Sequence, residues 1–254
     1  MAYFNYQSHE IFYQEIGDGT PLLMLHGNTA SSVMFYEMTA KYAQDYKVIL
    51  IDFLGCGKSD RVPCWAEDLW YDEAMQAICL LDEKEYQKVN IIGTSGGALA
   101  ALNIALERPD LVGKLIADSF EGEHANPAIT ETIRIGREAS KQNAGAKMFY
   151  EMMNGSDWEA VIDADTQAII SHANHIGDFF HKPLTELKAD ILLTGSREDA
   201  FFPAGFYEET FAQILRKIGH GLHHVFEHGD HPAMLSNQDE FVAMSKAFFE
   251  SMAD

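Results

Sequence analysis

The chain has 254 residues, 47% of them hydrophobic and 22% charged, and carries a formal net charge of −21. That charge argues against nucleic acid or an anionic membrane surface as partner, because both would repel it. Three cysteines, Cys56, Cys64 and Cys79, without framework spacing point to a reducing compartment. The first residues, Met1-Ala2-Tyr3-Phe4-Asn5-Tyr6, lack the basic-then-apolar order of a signal peptide, and no apolar run is long enough for a bilayer. A cytoplasmic protein is expected.

Residues 3 to 16 alternate with a period of two, which predicts antiparallel strands. After the turn Asp18-Gly19-Thr20-Pro21 comes a fully apolar strand, Leu22-Leu23-Met24-Leu25, ending in His26-Gly27-Asn28. Ser31 or Ser32 is placed to cap a helix whose Phe35, Met38 and Tyr42 share one face. Val48-Ile49-Leu50-Ile51 is the next strand, followed by the loop Asp52 to Ser59 and a helix with Ala74, Ala77, Ile78 and Leu81 on one stripe. Val89 to Ile92 then runs through Gly93-Thr94-Ser95-Gly96-Gly97 into an Ala/Leu-rich helix stopped by Pro109, and Lys114-Leu115-Ile116-Ala117 is a further strand. Continuous apolar strands alternating with helices imply a parallel sheet covered on both faces. From Ser119 to Glu186 the pattern holds helices only, near 128–141, 146–153 and 158–172. The alternation resumes with Ile191 to Thr194, a helix over 205–217, Leu222 to Phe226, and a last helix from Pro232 to Met252. The expected architecture is an α/β core over 1–118 and 187–254, with an eight-stranded, mostly parallel sheet whose first strands are antiparallel, interrupted by a helical insertion over 119–186.

Ser95 lies within Gly-x-Ser-x-Gly. A sharp strand-to-helix turn that lifts a serine hydroxyl above a sheet needs small neighbours, and Gly93 and Gly97 supply them. Such a serine needs a base, and the base needs an acid. In an open parallel sheet these groups lie beyond the carboxyl ends of the strands. His231, in His228-Gly229-Asp230-His231-Pro232 after the last strand, is the candidate base, with His228 its rival. Asp199, in Gly195-Ser196-Arg197-Glu198-Asp199, is the candidate acid, with Glu198 and Asp118 as alternatives. The N–H groups of Gly96 and Asn28 are the candidate oxyanion donors. His26 reads as structural. The remaining histidines, His220, His223 and His224, match no metal-ligand spacing, and no metal or cofactor is expected. Gly57-Lys58-Ser59 imitates the end of a phosphate loop, but Asp52 stands where that motif needs glycine, so 52–59 reads as a structural loop.

The order Ser95, Asp199, His231, with His26-Gly27, Asp52-x-x-Gly55-x-Gly57-x-Ser59 and Gly229-Asp230-His231-Pro232, resembles the α/β-hydrolase family from about residue 20 to 250. Asp230 departs from the glycine that is commoner before the histidine. The stretch His26 to Ser32 is similar to the matching loop of haloalkane dehalogenases, whose aspartate nucleophile is here Ser95. The resemblance implies a serine hydrolase acting on a small ester or related acyl substrate, with the insertion in the place of a cap. The same triad in family members also serves C–C bond cleavage, lyase reactions, amide hydrolysis or ligand reception. Met152, Trp158, His172 and His175 of the insertion are the expected substrate-binding residues. The expected partner is a small-molecule substrate, and a homodimer is left open.

Overall fold

The computed structural model describes residues 2–251. The strands are β1 (Ala2–Tyr6), β2 (His9–Ile16), β3 (Thr20–Leu25), β4 (Tyr46–Ile51), β5 (Val89–Thr94), β6 (Val112–Asp118), β7 (Asp190–Ser196) and β8 (Leu222–Phe226). The helices are α1 (Tyr36–Tyr42), α2 (Leu69–Glu83), α3 (Gly96–Glu107), α4 (Pro127–Ser140), α5 (Ala144–Asn154), α6 (Trp158–His175), α7 (Phe206–Ile218), α8 (Ala233–Ser236) and α9 (Gln238–Glu250). One eight-stranded sheet forms in the order β1-β2-β4-β3-β5-β6-β7-β8. β1 and β2 pair antiparallel with each other, as do β2 and β4, and the remaining pairs are parallel.

Successive side chains of a strand point to opposite faces, and here each face has its own helices. Leu23, Leu25, Ile49, Ile51 and Ile91 pack with α2, α3 and α7 residues such as Ala77, Leu102 and Phe211. Leu22, Met24, Val48, Leu50 and Ile92 pack with Phe35, Met38 and Phe241 on the other side. This is why the central strands are apolar without alternation: neither face meets water. Each such fully buried side chain contributes about 1.5–3 kcal/mol from removal of its surface from water.

Between β6 and β7 the three helices α4 to α6 replace the strand–helix rhythm. Asn126 and Asn143 begin two of them, accepting the N–H of Ala128 at 2.9 Å and of Ala146 at 3.0 Å. α6 continues a turn beyond the expected end, to His175. The insertion has a small core of its own, where Tyr150 and Trp158 stack at 5.6 Å beside Ile162.

Two local expectations fail. Ser31 does not cap the first helix. Its hydroxyl donates instead to Met153 O at 2.8 Å, and the Asp52 carboxylate takes the N–H of Ser32 at 2.7 Å. The last helix is not continuous. It breaks at Asn237, whose side chain donates to His228 O at 3.0 Å and so turns away from the helix path. Pro232 precedes α8 in an extended conformation instead of forming its first turn. Met252, the expected end of that helix, lies outside the described residues. Among the described residues, no helix is long and apolar enough to cross a membrane.

Candidate active site

β5 ends in Thr94, α3 begins at Gly96, and Ser95 is the hinge between them at φ 54, ψ −124. Such a backbone is costly for a side-chain-bearing residue and persists only where its surroundings enforce it. The enforcement is steric. A Cβ at Gly93 would lie 2.2 Å from Gly97 O, and one at Gly97 would lie 2.3 Å from Leu25 O. The Ser95 N–H donates to Asp118 O at 2.8 Å.

His231, in the loop after β8, faces this hydroxyl. Ser95 Oγ is 3.0 Å from His231 Nε2, and His231 Nδ1 is 2.8 Å from Asp199 Oδ2. With Nδ1–H donating to the carboxylate, Nε2 is left to accept from the serine. Asp199 also receives the Tyr207 hydroxyl at 2.6 Å and the Phe201 N–H at 2.9 Å. Burial alone would push the Asp199 carboxyl up. The hydrogen bond and charge of His231, with Tyr207 and Phe201, outweigh burial and hold it below the ordinary aspartate value. Asp230, the departure noted before the histidine, ties the two loops together, accepting from His231 N at 2.8 Å and from Ala200 N at 3.2 Å.

The rivals lie elsewhere. His228 pairs with Glu198 at 3.3 Å on the surface. Asp118 is buried beneath the site, where it accepts from the Thr94 and Thr194 hydroxyls at 2.8 and 2.7 Å and from Met234 N at 3.2 Å. Burial pushes its carboxyl up to about 6. His228→Ala should therefore leave kcat/KM of any activity within about twofold, because an exposed ion pair contributes little. A larger loss in steady-state assays would return His228 to the candidates.

Asn28 and Gly96 converge below Ser95. A Cβ at Gly96 would sit 2.1 Å from Asn28 Oδ1, and one at Gly27 would sit 2.9 Å from Ser95 Cβ. Among the described residues neither the Asn28 nor the Gly96 N–H has a protein acceptor, so both are free to donate. His26 is structural: Nδ1 donates to Gly27 O at 2.8 Å, Nε2 accepts from Phe53 N at 3.1 Å, and burial pushes its pKa down. The 52–59 loop is held likewise by Asp52, which accepts the N–H groups of Ser32 and Lys58 at 2.7 and 2.8 Å.

A cavity of about 650 Å³ opens from Ser95 and His231 into the insertion. Its wall is mainly apolar, with Ile129, Ile133, Phe149, Ile169 and Phe201 among the lining residues, and Glu121, Arg137 and His231 are among its ionisable ones. None of the four expected substrate residues lines it. Met152 is 59% exposed on the far side of α5. Trp158 is consumed by the stack with Tyr150 inside the insertion. His172 is buried between Trp70 and Phe179, at ring distances of 4.9 and 5.4 Å. His175 is exposed and bonded to Glu67. A sequence signal for the true wall did exist: Ile129, Ile133 and Arg137 recur every four residues along α4.

A serine on a strained strand-to-helix turn, at the carboxyl end of a parallel sheet with a histidine loop after the last strand, defines the α/β-hydrolase class of protein. The family model of the alpha/beta hydrolase fold matches residues 20–151, and the chain belongs to that family. It is similar to 2-hydroxy-6-oxo-6-phenylhexa-2,4-dienoate hydrolase of Comamonas testosteroni, 27% identical over 91% of this chain and 88% of that one. A shorter region, 42% of this chain and 37% of the relative, is 37% identical to proline iminopeptidase of Heyndrickxia coagulans. Among solved structures, an esterase from Exiguobacterium antarcticum superposes with a TM-score of 0.79 at 20% identity, over 98% of this chain and 99% of that one. The relatives are hydrolases, and the chain is an enzyme of that class.

Proposed function

We propose that the protein is a serine hydrolase of a small ester or related acyl substrate, with Ser95 as nucleophile, His231 as base and Asp199 as its orienting acid. The observation that carries the reading is the pair of contacts at 3.0 and 2.8 Å linking Ser95, His231 and Asp199 at the floor of the cavity. In the reaction His231 Nε2 takes the Ser95 proton as Oγ attacks the carbonyl carbon. The negative oxygen of the tetrahedral intermediate receives the N–H groups of Asn28 and Gly96. The proton on Nε2 then passes to the leaving alkoxide, and an acyl-Ser95 remains. Water, deprotonated by the same imidazole, releases the acid. The helical insertion acts as the cap that shapes the acyl site. The free cysteines Cys56, Cys64 and Cys79 support a cytoplasmic setting.

The whole-chain likeness to a dienoate hydrolase favours a second reading, hydrolysis of a carbon–carbon bond in a ring-cleavage diketone by the same residues. One panel separates the two: p-nitrophenyl esters of increasing acyl length, aryl amides, and vinylogous diketo acids. Ester hydrolysis with the highest kcat/KM, together with covalent labelling of Ser95 by a fluorophosphonate, is the expected result. Diketone cleavage at least a hundredfold above any ester would replace the first reading by the second.

A further inference from the structure

An oxyanion donor works only if it is aimed before charge develops. The loop that carries Asn28 has no regular structure of its own, and its next residue, Thr29, lies in the left-handed region at φ 63. A threonine in that conformation is strained and needs outside contacts to hold it. Those contacts come from the insertion. Asp165 of α6, its side chain 1% exposed, accepts the Thr29 N–H at 2.9 Å and Asn28 Nδ2–H at 3.1 Å on one oxygen. Its other oxygen accepts Arg137 Nη1–H at 2.6 Å. Asn154, at the end of α5, donates to Thr29 O at 2.8 Å, and the Ser31 hydroxyl reaches Met153 O at 2.8 Å. From the core side, Trp70 Nε1–H donates to Asn28 Oδ1 at 3.1 Å, so both ends of the Asn28 amide are assigned.

We infer that Asp165 is a positioning residue: a carboxylate of the insertion that fixes the Asn28 loop and thereby the aim of its oxyanion amide. The insertion then does more than bound the cavity, since the site is complete only when α6 is seated. The inference rests on the serine-hydrolase reading. The Arg137 cation and two N–H donors compensate a carboxylate that burial would otherwise disfavour. Three N–H groups, from Thr29, Asn28 and Arg137, point at the two carboxylate oxygens, so both oxygens must accept. An asparagine has the same size, but its NH2 would meet either Arg137 or Asn28 Nδ2, donor against donor.

The test compares Asp165→Asn, Thr29→Gly, their double variant and Asp163→Asn. Asp163 is the control on the same helix: an exposed carboxylate paired with Lys141 and remote from the loop. With the best ester of the panel, Asp165→Asn should lose about tenfold in kcat with KM within about twofold. The affinity of phenylboronic acid, whose tetrahedral adduct on Ser95 presents an anionic oxygen, should fall by the same factor. Thr29→Gly relieves the strained residue and frees the loop, so it should lower kcat severalfold with an unchanged melting temperature. The double variant should show less than the product of the two losses. Asp163→Asn should match the wild type. A purely structural Asp165 would lower the melting temperature and leave kcat, KM and boronate affinity of the folded fraction at wild-type values, which overturns the inference. If Asp165→Asn does not fold, an unchanged kcat in Thr29→Gly overturns it. A wild type that a fluorophosphonate labels at Ser95, with Asp165→Asn unaffected, refutes this inference alone. A wild type that is not labelled refutes the hydrolase reading and this one with it.

Discussion

Replacing Ser95 by alanine should lower kcat/KM on any ester the wild type hydrolyses by at least about 10⁴-fold. The loss is large because the residues act as a unit: without Oγ there is no acyl-enzyme, and the imidazole has no proton to take. His231→Ala should cost about as much, and the double variant little more than either single one. Simple addition of the two losses would mean that the two groups act in separate steps. Asp199→Asn tests a different link. Its carboxylate accepts Nδ1–H at 2.8 Å and is itself held by Tyr207 and Phe201. An asparagine NH2 at that place would donate to Nδ1, moving the imidazole proton to Nε2, where it faces the Ser95 hydroxyl. The expected loss is about 10²- to 10⁴-fold in kcat with the fold intact. Because His231 and its other partners hold Asp199 below the ordinary aspartate value, its carboxylate stays charged as pH falls through the usual range. The stability it contributes is present above its unfolded value and is lost only as pH falls through the lower folded one. Burst amplitudes with a p-nitrophenyl ester check all four variants, and full activity in Ser95→Ala would end the nucleophile assignment.

How much of this was legible before folding depends on whether the cause is local. Gly93 is needed because the chain meets itself within five residues, and Leu22 to Leu25 is apolar because both faces of its sheet are covered. Such causes are written at the position they govern. The expected active-site residues follow the ends of β5, β7 and β8, so topology brings them together without any side-chain detail. His231 and His228 share the loop after β8, so topology alone does not separate them; the contact of His231 with Ser95 Oγ does. The cavity wall has a different origin. Which face of α4 or α6 looks inward depends on how the insertion seats on the core, and an aromatic such as Trp158 satisfies a small internal core as readily as a substrate site. The break at Asn237 follows from a hydrogen bond to His228 O, nine residues away in a loop. Asp165 was hidden for the same reason: its partners Asn28 and Thr29 lie 137 and 136 positions away.

Glu121→Gln should make the protein more stable at pH 8 and leave it nearly unchanged at pH 5. Glu121 lines the cavity, and its Oε2 is buried without a partner among the described residues. Burial disfavours the charged form and pushes this carboxyl up to about 7, against a small opposing contribution from the Asn126 N–H. The folded state therefore holds a proton that the unfolded chain has already released between roughly pH 4 and 7. Stability from this group is fully present below the unfolded value and is lost as pH rises through about 7. The integrated cost at high pH is about 3 kcal/mol as an upper figure, or roughly a hundredfold in the folding equilibrium. Glutamine is neutral throughout, so the difference between variant and wild type should widen from pH 5 to pH 8 by up to that amount. Asp118, also pushed up by burial, titrates in both proteins and cancels in the difference. Urea unfolding at pH 5, 6, 7 and 8 measures it directly. A difference that stays flat across that range would mean that Glu121 is ionised in the folded protein, and the cavity would then present a negative wall to its substrate at every working pH.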